Sequence, residues 1–253
     1  MNILEISHLT MRFGGLVAVS DFNLSLEKGV IYGLIGPNGS GKTTVFNVIT
    51  GFYKPSEGSI TLNGHNVTGL SPDRITVAGM TRIFQNSRVF RELTVLDNVL
   101  IGDHLRIKSS PLEAVLRMPA YVRQENAAYE EMMNLLEGLG LVHLINEKAG
   151  ALPYGLQRKL EVARALSTHP KILLLDEPAT GMSAEETTEM ISFILNVRKD
   201  FDLTILLIEH HMQVVMGICQ EIKVLNYGKT IANGSPDHIQ NNQEVIEAYL
   251  GVD

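Results

Sequence analysis

Apolar and polar residues alternate with a period of two in the first part of the chain. Leu4-Glu5-Ile6-Ser7-His8-Leu9 and Phe22-Asn23-Leu24-Ser25-Leu26 each put their apolar side chains on one face, as half-buried strands do. Glu27-Lys28-Gly29 follows as a turn. Gly58-Ser59-Ile60-Thr61-Leu62 repeats the alternation and runs into Asn63-Gly64, a hairpin signal. These segments predict an antiparallel sheet. A second pattern is the continuous apolar run: Val30-Ile31-Tyr32-Gly33-Leu34-Ile35, Ile172-Leu173-Leu174-Leu175 and Leu203-Thr204-Ile205-Leu206-Leu207-Ile208. Strands buried on both faces look like this, and helical patterns at Lys159 to Leu166 and Thr187 to Lys199 separate them. The expectation is an α/β fold with a parallel sheet covered on both sides by helices.

Between about Val89 and Pro153 the texture becomes helical. Leu135, Leu136 and Leu139 recur at helical spacing behind Tyr129, Met132 and Met133, with charges on the other face. Lys108-Ser109-Ser110-Pro111 reads as a loop entering a helix at Leu112 to Leu116. The expected division is a core of residues 1–87 and 154–253 and a helical insertion of residues 88–153. A hairpin over Ile222 to Ile231 and a last helix near Asn242 to Leu250 complete the reading, without internal repeats.

Composition narrows the classes. The 253 residues, 45% hydrophobic and 19% charged, suffice for a real core. A net charge of −7 gives no global basic field for nucleic acid. Cys219 is the only cysteine, so neither an internal disulfide nor a cysteine-based metal cluster is available. No run approaches 18 apolar residues, and Met1 to Ile6 lacks the charged-then-apolar character of a signal segment. A reducing cytoplasmic location is expected, with any membrane role peripheral.

The chemistry starts at Gly36-Pro37-Asn38-Gly39-Ser40-Gly41-Lys42-Thr43, a complete phosphate-binding loop between a buried strand and a helix opening at Thr44. Glycines let backbone N–H groups turn inward around an anion where a Cβ would block the approach. Lys42 brings positive charge to the β/γ-phosphates, and the Thr43 hydroxyl suits Mg²⁺. The helix N-terminus adds its partial positive charge. Alone, this loop fits a kinase, a switch or a motor. Asp176-Glu177, emerging at the end of an apolar strand, adds a carboxylate for Mg²⁺ and a second one to polarise an attacking water. Ile208-Glu209-His210-His211 ends another strand the same way. Adjacent histidines on a strand end point to opposite sides, so one of them would face the nucleotide. Their spacing is poor for zinc, and no third ligand is evident.

In this order, these elements resemble the ATP-binding cassette (ABC) family over essentially the whole chain. The resemblance implies a P-loop NTPase (RecA-like) core with an antiparallel β subdomain and an inserted helical subdomain. It also implies roles: Phe13 stacking on adenine, and Gln85 in Arg82-Ile83-Phe84-Gln85-Asn86 as a nucleotide and magnesium contact. Pro153, Tyr154 and Gly155 fall in the signature segment, Gly181-Met182-Ser183 in the interface loop, and His210 at the switch position. Glu177, His210 and Lys42 would be catalytic, and Thr43, Gln85 and Asp176 would hold Mg²⁺. Such proteins sandwich two ATP molecules in a head-to-tail dimer and drive a membrane permease, which would dock near Gln85 and Val89-Phe90. Within the family the likeness is to ATP-binding subunits of bacterial branched-chain amino-acid importers. It rests on Met11-Arg12-Phe13-Gly14-Gly15-Leu16, Thr50-Gly51-Phe52-Tyr53-Lys54-Pro55, Val89-Phe90-Arg91-Glu92-Leu93-Thr94-Val95 and Val245-Ile246-Glu247-Ala248-Tyr249-Leu250-Gly251. Urea and amide systems look alike, and a soluble ABC-type ATPase acting outside transport is the other alternative.

Two positions depart from the family pattern. Where the signature usually reads Ser-Gly-Gly, this chain has Pro153, Tyr154 and Gly155. Proline supplies neither a hydroxyl nor an N–H; a hydrogen bond to a charged group is worth about 1.5–3 kcal/mol. The interface loop carries Ser183 instead of Asp. These departures favour an asymmetric heterodimer over a homodimer, with this chain's Lys42, Asp176 and Glu177 working with a partner's intact signature; a homodimer is the alternative.

Overall fold

A computed structural model describes residues 2–85, 89–103 and 116–250. The chain packs as two compact units, one of Met1–Gln85 with Lys171–Asp253 and the other of Asn86–Pro170. The division thus falls at 85/86 and 170/171, and residues 154–170 go with the second unit rather than with the core.

In the first unit, strands β1 (Asn2–Phe13), β2 (Leu16–Glu27), β4 (Glu57–Leu62) and β5 (His65–Asn66) form an antiparallel sheet in the order β2-β1-β4-β5. Leu4 pairs with Leu26 and Ile6 with Leu24, all buried, while Glu5 and its partner Ser25 are exposed. The period of two in the sequence is therefore the inside–outside alternation of the sheet. Gly14, at φ 57, lets β1 turn back into β2.

The second sheet contains β3 (Ile31–Ile35), β6 (Met80–Ile83), β7 (Ile172–Asp176), β8 (Thr204–Ile208), β9 (Glu221–Asn226) and β10 (Lys229–Gly234). Its order is β10-β9-β3-β8-β7-β6, parallel except for the β10 edge. Every residue of β3, β7 and β8 is buried, which explains their unbroken apolar sequences. Asp176 and Leu34 both lie level with Ile208, so the chain leaves β3, β7 and β8 along one edge. Helix α1 (Lys42–Ile49) buries Val45, Phe46, Val48 and Ile49, and Phe46 joins Phe22, Leu26, Leu34, Leu174 and Leu206 in one core. Fully burying each such side chain is worth roughly 1.5–3 kcal/mol, which anchors the loop between β3 and α1 from behind. The remaining helices of this unit are α2 (Pro72–Val77), α6 (Ala184–Asp200), α7 (Met212–Ile218), α8 (Pro236–Gln240) and α9 (Gln243–Leu250).

The second unit is helical: α3 (Val95–Asp103), α4 (Pro119–Gly138) and α5 (Tyr154–Leu166). Met132, Leu135 and Leu136 are buried as their spacing predicts, whereas Leu139 caps α4 half-buried and Tyr129 is exposed. Asn98, fully buried on α3, bonds the N–H and C=O of Phe90 and the C=O of Thr94, fixing the segment before the helix. The expected loop and helix at Lys108 to Leu116 fall, up to residue 115, outside the described residues, as do Asn86 and Gly251. No helix among the described residues is long and apolar enough to cross a membrane.

Candidate functional site

The phosphate loop is shaped by glycine backbone and braced by one lysine side chain. Gly36 has φ 147, and a Cβ there would lie 2.0 Å from the Leu225 carbonyl oxygen. Gly41 has φ 106, and its Cβ would lie 2.8 Å from the Ala18 carbonyl oxygen. Both positions therefore require glycine. On the far side, Gly228 N–H donates to the Ser40 carbonyl at 2.9 Å, clamping the loop to the turn after β9. Inside the loop, Lys42 Nζ donates to the carbonyls of Gly36 and Pro37 at 2.7 and 2.9 Å. Its ammonium has a third N–H for an outside acceptor. Burial lowers the Lys42 pKa, opposed by the nearby carboxylates Glu177 and Asp176. The buried Ser40 Oγ has no hydrogen-bond partner. Pro37, Asn38 and Gly39 form the outer, largely exposed arc, and Thr43 and Thr44 open α1 with the Thr43 side exposed. Gly41 precedes that helix with no side-chain cap and no acidic residue in the first turn. Together, glycines at positive φ, an uncapped helix start and a lysine make a place for an anion.

The carboxylates stand at the end of β7. Asp176 is 8% exposed and pairs with Arg82 Nη2 at 2.6 Å. Glu177 takes φ 51, an unusual conformation for this residue type, and its N–H donates to the Ile208 carbonyl at 2.9 Å. Its side chain meets three groups: Gln85 Nε2 at 2.5 Å, Thr180 Oγ1 at 3.1 Å and His210 Nδ1 at 3.5 Å. Glu177, Gln85 and His210, predicted from three separate segments, thus come together. Oxygen donors from Thr43, Gln85 and Asp176 are the hard ligands that Mg²⁺ takes, so the donor set fits that ion.

The histidine pair differs from the expectation. β8 ends at Ile208, so the strand alternation that would separate the two rings has already stopped. The fully buried Glu209 carboxylate accepts the N–H groups of His210, His211 and Ala179, curling the chain around itself. The His210 and His211 rings consequently lie 4.2 Å apart on one side. Glu209 also supplies the third metal-type ligand the sequence did not show, although backbone donors already satisfy it.

Phe13, at the end of β1, is 42% exposed and meets Tyr53 edge-on with centroids 5.3 Å apart. In the helical unit, Pro153 precedes α5 and supplies no side-chain cap; Tyr154 and Gly155 begin the helix. Gln157 folds back onto the Leu152 carbonyl at 2.7 Å. Sequence reasoning missed Arg82, Asn47, Thr180 and Tyr53 as parts of the site. For Arg82 the one available signal is a charge inside the short β6, whose partner Asp176 lies 94 residues away.

The sequence pattern of the ABC transporter family matches residues 19–180. The chain belongs to the ABC transporter family. Membership carries ATP binding and hydrolysis with it, and it accounts for the two-sheet architecture around this loop. A second pattern, the branched-chain amino acid ATP-binding cassette transporter, matches residues 229–253 of the cassette. The chain is 46% identical to the high-affinity branched-chain amino acid transport ATP-binding protein BraF of Pseudomonas aeruginosa. It is 47% identical to LivG of Escherichia coli, a protein of the same description; each match covers 98% of both chains. Among solved structures, the ADP conformation of the ABC transporter cassette MJ1267 superposes with a TM-score of 0.86 at 33% identity, covering 99% of each chain. A nucleotide-free ABC transporter cassette gives a TM-score of 0.84 at 33% identity, covering 98% of this chain and 99% of that one.

Proposed function

We propose that this cassette is the Mg²⁺-dependent ATPase subunit of an importer for branched-chain amino acids, peripheral to the cytoplasmic face of the membrane and working on integral permease subunits. The observation that carries the reading is the gathering of Gln85, Thr180 and His210 around Glu177, next to a phosphate loop with an uncapped helix start. The solute class is supported by the terminal segment at 229–253 and by the names of the relatives.

In this mechanism Phe13, with Tyr53 at its edge, receives the adenine by stacking. The loop from Gly36 to Thr43, with Thr44, binds the phosphates through N–H groups and the third N–H of Lys42. Thr43, Gln85 and Asp176 would hold Mg²⁺, which would supply positive charge to offset that of the phosphates. Glu177 orients the attacking water and takes its proton, and His210 contacts the γ-phosphate beside it. Gln85 holds the Glu177 carboxylate and so fixes its aim.

Pro153, Tyr154 and Gly155 serve a second ATP across a dimer. The start of α5 still presents its helix dipole to the phosphate, while the serine hydroxyl and N–H are lost at Pro153. This favours a heterodimer with a second cassette whose signature is complete, serving the ATP held by this chain's own loop. Purification from native membranes tests the reading. Recovery with a hydrophobic permease and a second cassette, with ATPase stimulated by branched-chain amino acids and their binding protein, is expected. Stimulation by urea or amides instead would reassign the solute; recovery with ribosomes or DNA would overturn the transport role.

A further inference from the structure

Arg82 is a buried charged group in this site that no role above uses. Its side chain is 4% exposed, too dry for a guanidinium without a task. Nη2 donates to Asp176 Oδ2 at 2.6 Å and Nη1 to Asn47 Oδ1 at 2.7 Å, while Nε has no partner. The guanidinium carbon lies 4.4 Å from the Phe84 ring centre and 5.4 Å from that of Phe46. The group therefore lies against two rings and is fixed at both terminal nitrogens. Its two acceptors belong to different elements. Asp176 ends β7; Asn47 sits on α1, one helical turn beyond Thr43. Arg82 thus ties the element carrying the Thr43 hydroxyl to the one carrying the Asp176 carboxylate.

We infer that Arg82 is a positioning residue for the magnesium site, holding Asp176 Oδ2 so that Oδ1 is presented in fixed register with α1. The inference rests on the proposed role of Asp176 as a Mg²⁺ ligand. A planar fork suits this task because it bonds two acceptors in set directions, which a lysine ammonium does not. Arginine also satisfies one carboxylate oxygen and leaves the second for the ion. The bridge therefore makes the metal site part of the fold, rather than a pair of side chains brought together by the ion.

The test uses the full chain in a Glu177→Gln background, so that nucleotide stays intact. Mg²⁺ is titrated at fixed fluorescent ATP analogue, and affinity for the same analogue is measured in EDTA. Loss of a charge-assisted hydrogen bond predicts that Arg82→Met raises the Mg²⁺ midpoint about tenfold or more. Affinity in EDTA should stay near the parent value, which a general loss of structure would not allow. Arg82→Lys should recover part of the midpoint shift. Asn47→Ala, which leaves the Asp176 ion pair in place, should give a smaller shift in the same direction and covers the case of Arg82→Met failing to fold. Asp176→Asn is the control. If it moves the midpoint and the Arg82 and Asn47 variants do not, the positioning role is wrong. If Asp176→Asn itself leaves the midpoint unchanged, the assignment of Asp176 to the metal is wrong.

Discussion

Two helices of the nucleotide-binding unit meet the same need in opposite ways. Every helix start leaves backbone N–H groups without partners. At α6 the sequence closes that end from within: Ser183 Oγ accepts the Glu186 N–H, the Glu186 carboxylate accepts the Ser183 N–H, and Glu185 adds a second negative charge. At α1 the end is left open, preceded by Gly41 at φ 106 with neither a capping side chain nor an acid. The first arrangement stabilises the fold; the second leaves N–H groups and helix dipole for an external anion. Ser183 also explains one departure from the family pattern. Serine and aspartate are both good N-caps, so the exchange removes a charge and keeps the helix start.

The sharpest way to break this contrast is at the carboxylates facing the open end. Glu177→Gln should cut ATP turnover by about 10²–10⁴-fold, the usual contribution of a positioned base, with nucleotide affinity retained. Steady-state phosphate release and equilibrium binding separate the two effects; surviving turnover would remove Glu177 from the catalytic role. Next, Lys42→Ala should weaken ATP binding by roughly ten- to 150-fold, the value of a hydrogen bond to a charged group. Calorimetric titration reads this, with thermal stability little altered. Pro153→Ser acts at the start of α5. Restoring the lost donor should raise ATPase of the chain assayed alone by about tenfold or more, within the same energy range. Full activity of the unmodified homodimer, unmoved by this change, would contradict the asymmetric arrangement. The smallest effect belongs to the closed end. Ser183→Ala should cost about 1 kcal/mol of stability, typical for loss of an N-cap, and leave ATP affinity unchanged. A chain this size would show it as a Tm lowered by about 2–4 °C.

The parts of the fold that could be read from the sequence are those whose residues answer to their own neighbourhood. β1, β2 and β4 alternate because one face is buried; β3, β7 and β8 are wholly apolar because both are. The loop from Gly36 to Thr43 is dictated by backbone geometry that glycine alone permits. Elements that escaped notice are short or depend on distant partners. Helices α2, α7 and α8 have six, seven and five residues, too few for a 3.6-residue period to show. β6 has four residues, and its Arg82 side chain is buried only because Asp176 and Asn47 meet it there. Likewise, nothing around residue 210 announces that a buried Glu209 will gather three backbone N–H groups and bring both histidine rings to one side. The grouping of α5 with the helical unit follows from its packing against α3, which sequence order does not reveal.

The central claim is that the loop, Asp176 and Glu177 make half of an ATP site that a second cassette completes. Light scattering on the Glu177→Gln chain mixed with its partner cassette tests it most directly. The account predicts separate chains without nucleotide and a stable dimer with Mg²⁺ and ATP. ATP bound at Lys42 with the chains still separate would contradict it.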